Sequence, residues 1–417
     1  MQQSIRASGI INFLACLGIL TLFLPPVFLT IFGSTFTLYV GEIFILLLGF
    51  LWIISILKHG KLGINKVIKV LFCFLVISSL SIVMADNIGR YFIGFITYLE
   101  TFLILLMFYN LSFNKVQQTN MINYYLYSGI ILSLWIIQKT IFENQGDFII
   151  GNKITLEIGN SNYLASILMI PFYIFYTMLL KEESAFTTMR KMKNLFGLTV
   201  IGIAVIYTGS RTCLGIIGAL TFIFVLKDLI LVKKNLIKIV ASLIFIGIFL
   251  AGLYSFAGEF INQMVGEGRF DDIRNQSNLL ERGVIFKEYF NAFWQSPILG
   301  HGFNNINALS QYYLAHNFIL QVLGDNGIIA CLLFLVFIFS ILTFLKKNIR
   351  DSKNIELSIF MLGYKRGFYA VLLHGLLEPN FGTKLFMIYL FWGLGIIMAS
   401  LNKEALDNYN QNKGEMK

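Results

Sequence analysis

The sequence predicts an all-α polytopic membrane protein. Apolar runs of roughly 20 residues recur from end to end, each long enough to cross the hydrocarbon core as a helix. Only 13% of the 417 residues are charged and 57% are hydrophobic, whereas a soluble domain carries about 25% charged residues. Sixteen of the 32 Lys and Arg fall in four stretches, 58–69, 181–193, 227–238 and 346–353, on alternate turns of the predicted path. That alternation is the positive-inside bias, and it accounts for the net charge of +10 without nucleic acid as a partner. A membrane β-barrel would show short alternating segments instead.

Twelve spans are predicted: 10–32, 36–57, 67–84, 90–110, 121–142, 161–180, 194–208, 212–230, 236–257, 316–345, 357–378 and 384–401. The whole chain, 1–417, reads as one integral membrane domain. With both termini cytoplasmic, the basic clusters share one side, and 143–160, 209–211, 258–315 and 379–383 face outward. The first run continues through Pro25 and Pro26 without a clear cleavage site, so it reads as a span rather than a signal peptide. The span 316–345 is too long for a simple crossing. Its Gly324, Asp325, Asn326 and Gly327 mark a place for a kink. Cys16, Cys73, Cys213 and Cys331 form no C-x-x-C pair and read as small hydrophobes.

One polar stretch interrupts this apolar chain. The segment 258–315 is an extracytoplasmic loop with four basic residues (Arg269, Arg274, Arg282, Lys287) against six carboxylates, a net charge of −2. An anion site there must come from individually placed arginines. At about 100° per residue, 279–295 forms an amphipathic helix with Phe286, Tyr289 and Phe293 on one stripe. Arg282 lies within about 40° of Phe286 and shares that face. An arginine on a buried stripe needs a partner, either a carboxylate elsewhere or a bound anion. The glycine-punctuated turn Ser296 to Asn304 follows; its His301 reads as an incidental exposed histidine. His316 opens the next apolar helix.

Other candidates lie outside the loop. Arg211 sits at the tip of a three-residue hairpin, on the side where positive-inside bias disfavours it. Glu100 is an ionisable residue in mid-span, either functional or hydrogen-bonded between helices. Lys365 and Arg366 are expected to snorkel to the cytoplasmic side. His374 and Glu378, near the outer end of their span, could share a cavity with the loop. There is no P-loop, no dinucleotide fingerprint, no H-E-x-x-H and no acidic metal motif. The expected chemistry is free of metal and cofactor and acts on an anionic substrate.

Four stretches in order carry a family pattern. Gly209-Ser210-Arg211 resembles the S-R hairpin of the O-antigen ligase and polymerase superfamily (the Wzy/WaaL type). Arg282 followed by Ser296-Pro297 and Gly300-His301-Gly302 is similar to its loop motif, arginine then P-x-x-G-x-G. Ala315-His316-Asn317 with Gln321 and Gly327 resembles its H-N-x-x-L…G helix start. Gly159-Asn160 with Asn162 resembles an Asn-containing span entry.

The resemblance implies a GT-C-like glycosyltransferase of the bacterial inner membrane. Its donor would be a glycan on undecaprenyl pyrophosphate at the outer face. Its acceptor would be another lipid-linked repeat unit, for a polymerase, or lipid A–core, for a ligase. Polymerase is the preferred reading. A chain-length regulator protein is a further partner that the resemblance implies. Arg211 and Arg282 would hold the pyrophosphate, as forked guanidinium groups do bidentately. His316 would be the base for the acceptor hydroxyl, a role suited to imidazole at neutral pH. Arg269, Arg274, Asn317 and Asn160 would support substrate binding. The competing class is a transporter or flippase of a lipid-linked or anionic solute. Glu100 and the twelve-span count favour it; the long one-sided loop and the lack of repeats oppose it.

Overall fold

A computed structural model describes residues 5–6, 9–31, 34–59, 62–142, 149–150, 153–181, 188–231, 277–306 and 315–415. The predicted span 236–257, and with it Arg269 and Arg274, lies outside the described residues.

Helices dominate. They are α1 (Gly9–Leu20), α2 (Val40–His59), α3 (Lys66–Ser79), α4 (Ile88–Asn110), α5 (Lys115–Phe142), α6 (Ser161–Lys181), α7 (Thr188–Tyr207), α8 (Arg211–Leu231), α9 (Ser277–Gln295), α10 (Phe318–Asp351), α11 (Ile355–Gly375) and α12 (Lys384–Glu415). Among the described residues, seven stretches are long and apolar enough to cross a membrane, in α2 to α6, α10 and α12. The shorter apolar helices include Gly9–Leu20 and Thr212–Lys227. The molecule is an all-α polytopic membrane protein, as its composition implies.

The first predicted span is corrected. Helix α1 stops at Leu20, and an antiparallel hairpin pairs Val27–Ile31 with Ser34–Leu38. Pro25 and Pro26 stand between the two. Proline lacks the N–H that a helix interior needs. The residues after it are rich in β-branched and aromatic types, which suit paired strands.

Close backbone contact sets the core. A Cβ added at Gly363 of α11 would lie 2.6 Å from the Ile174 Cα of α6, and one at Gly367 would lie 2.8 Å from the Ile170 Cα. Such small residues let membrane helices approach closely. On the other side, Trp392 of α12 is fully buried and meets the Phe108 ring of α4 edge-on at 5.3 Å.

The buried charges depart from expectation. Arg366 does not reach the surface. It is 5% exposed, donates from Nη1 to Thr177 Oγ1 at 3.2 Å and stacks over Phe224. Glu100 is not an isolated mid-span acid. Lys384 Nζ lies 3.3 Å from its carboxylate and 2.7 Å from that of Glu42, and also donates to the Thr37 carbonyl of the hairpin. This cluster ties α2, α4, α12 and the hairpin together.

The helix ends sort into two groups. At one end, Ser34 meets Asn87, Asn87 N–H donates to Asn305 at 2.7 Å, and His316 meets Glu378. At the other, Gly63 N–H donates to Asn110, Arg190 pairs with Glu356, and Lys193 donates to Asn123. These are the segments that the positive-inside pattern assigns to opposite sides.

Candidate functional site

Helix α10 begins where Asn317 caps it. The Asn317 Oδ1 accepts from Ile319 N–H at 2.9 Å and Leu320 N–H at 3.1 Å, and its Nδ2 donates to the Leu376 carbonyl at 3.1 Å. An extended N-cap with a side-chain acceptor is what helix N-termini favour. The side chain of Asn317 therefore joins the start of α10 to the end of α11. That leaves His316, one residue earlier, in a left-handed backbone conformation with φ 49°, which a non-glycine residue seldom adopts.

In this position the imidazole meets a carboxylate. His316 Nδ1 lies 3.1 Å from Glu378 Oε2; the histidine side chain is 35% exposed and the glutamate 4%. Where that carboxylate is ionised it can only accept, and the bond then selects the tautomer with the proton on Nδ1. Nε2 has no partner among the described residues. Glu378 is fixed by its own tight turn, its N–H bonded to the His374 carbonyl and its carbonyl accepting from Asn380 N–H. His374, expected near the same cavity, is instead fully buried.

Two helix starts share this end. Gly209, with φ 65°, turns the chain after α7, and Ser210 Oγ accepts from Cys213 N–H at 3.4 Å. Arg211 is thus the first residue of α8, at the positive end of its dipole. Cys213 lies against the Ala165 carbonyl of α6. Asn160 caps α6 in turn, its Oδ1 accepting from Asn162 and Tyr163 N–H at 3.1 and 3.2 Å. Tyr163, at this start of α6, is among the groups that the Glu378 carboxylate influences.

The amphipathic helix is present as α9, with its stripe shifted. Ile285, Tyr289 and Ala292 dock on Ile306, Ala315 and Leu320, while Phe286 is only half-buried. Position 282 lies three residues before Ile285 and nearly in line with Tyr289. Burial, then the Asp325 carboxylate, pushes the Tyr289 hydroxyl above its usual range.

The glycine turn is a fastening. His301 N–H donates to the Gly324 carbonyl at 3.0 Å, Gly302 N–H to Asp325 at 2.8 Å, and Ile328 N–H returns to Pro297 at 2.9 Å. Asn304 N–H donates to the Asp325 carboxylate at 3.1 Å. The turn docks where α10 breaks, at Gly327 with φ 77° and ψ 178°; the predicted kink is there. His301 is corrected: it is buried, and its Nε2 donates to the Ala292 carbonyl near the end of α9 at 2.7 Å. It closes a helix instead of facing solvent.

The described site therefore brings together His316, Asn317 and Glu378, and the start of α8 is joined to α6 through Cys213 and Ala165. The sequence placed Glu378 on the correct side but did not pair it with His316. The available signal was a carboxylate in the short outer connection, directly before Pro379.

Residues 196–335 match the model of a family described as O-antigen ligase. No curated protein matches the chain. The matched third of the chain contains Arg211, Arg282 and His316, while Glu378 lies beyond it. Over this segment, the chain is similar to the O-antigen ligase family.

Proposed function

We propose that the protein is a polymerase of surface polysaccharide, transferring glycan from undecaprenyl pyrophosphate to a second lipid-linked repeat unit. The observation that carries the reading is the His316–Glu378 pair, with Nε2 unengaged among the described residues, at the bundle end where α8 starts with Arg211. The acceptor hydroxyl gives its proton to Nε2 as its oxygen bonds the anomeric carbon. The bond from that carbon to the pyrophosphate oxygen breaks, and the lipid pyrophosphate leaves. Arg211 and Arg282 neutralise its charge. Glu378 holds the imidazole in the needed tautomer and stabilises the imidazolium. Asn317 and Asn160, whose side chains cap helices, act by positioning; Arg269 and Arg274 supply further cationic contacts to the donor.

On this reading the frame is GT-C-like, the site end faces outward from the cytoplasmic membrane, and a chain-length regulator binds alongside. The ligase reading, with lipid A–core as acceptor, has its own support in the family description. The test is purified protein with lipid-pyrophosphate oligosaccharide, followed on gels, with and without lipid A–core. Arg211→Ala, Arg282→Ala and His316→Ala should each abolish the ladder formed by wild type. Wild-type ladders from all three would sink the mechanism. A single shift onto lipid A–core, with no ladder, would make the enzyme a ligase.

A further inference from the structure

Helix α9 has more apolar surface than its dock on the bundle uses. Ile285, Tyr289 and Ala292 face protein. About 150° round the helix, Phe290 and Trp294 stand 48% and 63% exposed, their rings edge to face at 5.8 Å. Lys287, Asn291 and Gln295, all exposed, form the third flank. A water-facing helix has no use for a second apolar flank, and a membrane span would have no polar one.

What covers the second flank follows from its continuation. Ile298, 61% exposed, comes three residues after α9 ends. The neighbouring Pro297 carbonyl accepts from Ile328 N–H of α10 at 2.9 Å. From there Ile328, Ile329 and Leu332 begin the exposed apolar face of α10, one of the stretches fit to cross a membrane. The aromatic flank is thus followed along the chain by the exposed apolar face of α10.

We propose that α9 is an interfacial helix, with Phe290, Trp294 and Ile298 seated among the glycerol and upper acyl groups of the outer-end leaflet. Aromatic side chains concentrate at this depth, and a helix with one polar and one apolar flank lies in the interface plane. The occupant is bulk phospholipid. A consequence, which rests on the transfer reading, is that position 282 rides at the level where a lipid-linked pyrophosphate sits.

The test needs no enzymatic activity. Full-length protein is reconstituted into phosphatidylethanolamine–phosphatidylglycerol vesicles whose acyl chains carry bromine near the head or near the terminal methyl. The Trp294 emission is the difference between wild type and Trp294→Phe. Head-proximal bromine should remove most of that difference signal, methyl-proximal bromine little of it, and aqueous acrylamide little of it. Strong acrylamide quenching with no bromolipid effect would overturn the proposal in favour of a water-facing helix. Resistance to all three quenchers would overturn it in favour of protein covering the flank. Stronger quenching by methyl-proximal bromine would also overturn it, because the helix would then lie too deep.

Discussion

Replacing Gly327 with alanine should destabilise the protein far more than a glycine substitution normally does. At φ 77° and ψ 178° the residue occupies a backbone region that is essentially glycine's alone, with a cost of about 1–3 kcal/mol for other residues. Space is a second problem. A Cβ would sit 2.0 Å from the Ile298 carbonyl oxygen, 2.4 Å from its carbon and 2.9 Å from Leu299 N. These are main-chain atoms that no rotamer change can move. Displacing them breaks the Ile328 to Pro297 hydrogen bond, itself worth about 1 kcal/mol. The two terms give about 2–4 kcal/mol. Thermal unfolding in detergent at a fixed scan rate should fall by roughly 4–12 °C, at about 2–3 °C per kcal/mol for a large chain. The control is Gly49→Ala in α2, where nothing lies within 4 Å of the added carbon and the change should stay within about 1 kcal/mol. If Gly327→Ala melts together with wild type and Gly49→Ala, the account of the turn as a fastening is wrong.

Two further substitutions probe the charged groups. Glu378→Gln keeps the shape but lets an amide N–H face Nδ1 of His316, favouring the wrong tautomer. The single-turnover transfer rate should fall by about 10²–10⁴-fold with donor affinity nearly unchanged; an unaltered rate would refute the pairing. Lys384→Met leaves Glu42 and Glu100 together without their cation, a loss of about 3–5 kcal/mol for a buried pair. The variant should lose yield and melting temperature, and adding Glu42→Gln should restore part of both. A double variant no better than the single would show that charge is not the cause.

What the sequence made legible depended on how local the physics was. The break in α10 was readable because Gly324, Asp325, Asn326 and Gly327 interrupt an otherwise apolar run. Helix α9 was readable from its period, but its buried centre was not. Burial there is decided by Ile306, Ala315 and Leu320, which no helical wheel contains. The hairpin after α1 was missed because apolarity alone does not distinguish strand from helix; Pro25, Pro26 and the β-branched residues after them were the available signal. His301 looked idle between two glycines, yet its partner is a helix carbonyl nine residues earlier. Glu378 lies 62 residues from His316, and only the way α11 ends beside the start of α10 brings them together.

The first nine residues of α10, before its break, carry most of the site's geometry. At their start, Asn317 binds both the helix and the Leu376 carbonyl, which places His316 beside Glu378. At their end, Gly324 and Asp325 take the glycine turn. Gln321 joins the two ends: its Nε2 donates to Asp325 at 2.8 Å and its Oε1 accepts from Ala315 N–H at 3.2 Å. The same short helix, through Leu320, and Ala315 just before it receive the docked flank of α9, on which position 282 lies. Base and arginine-bearing helix therefore share one mount. A change at Gln321 should disturb both together.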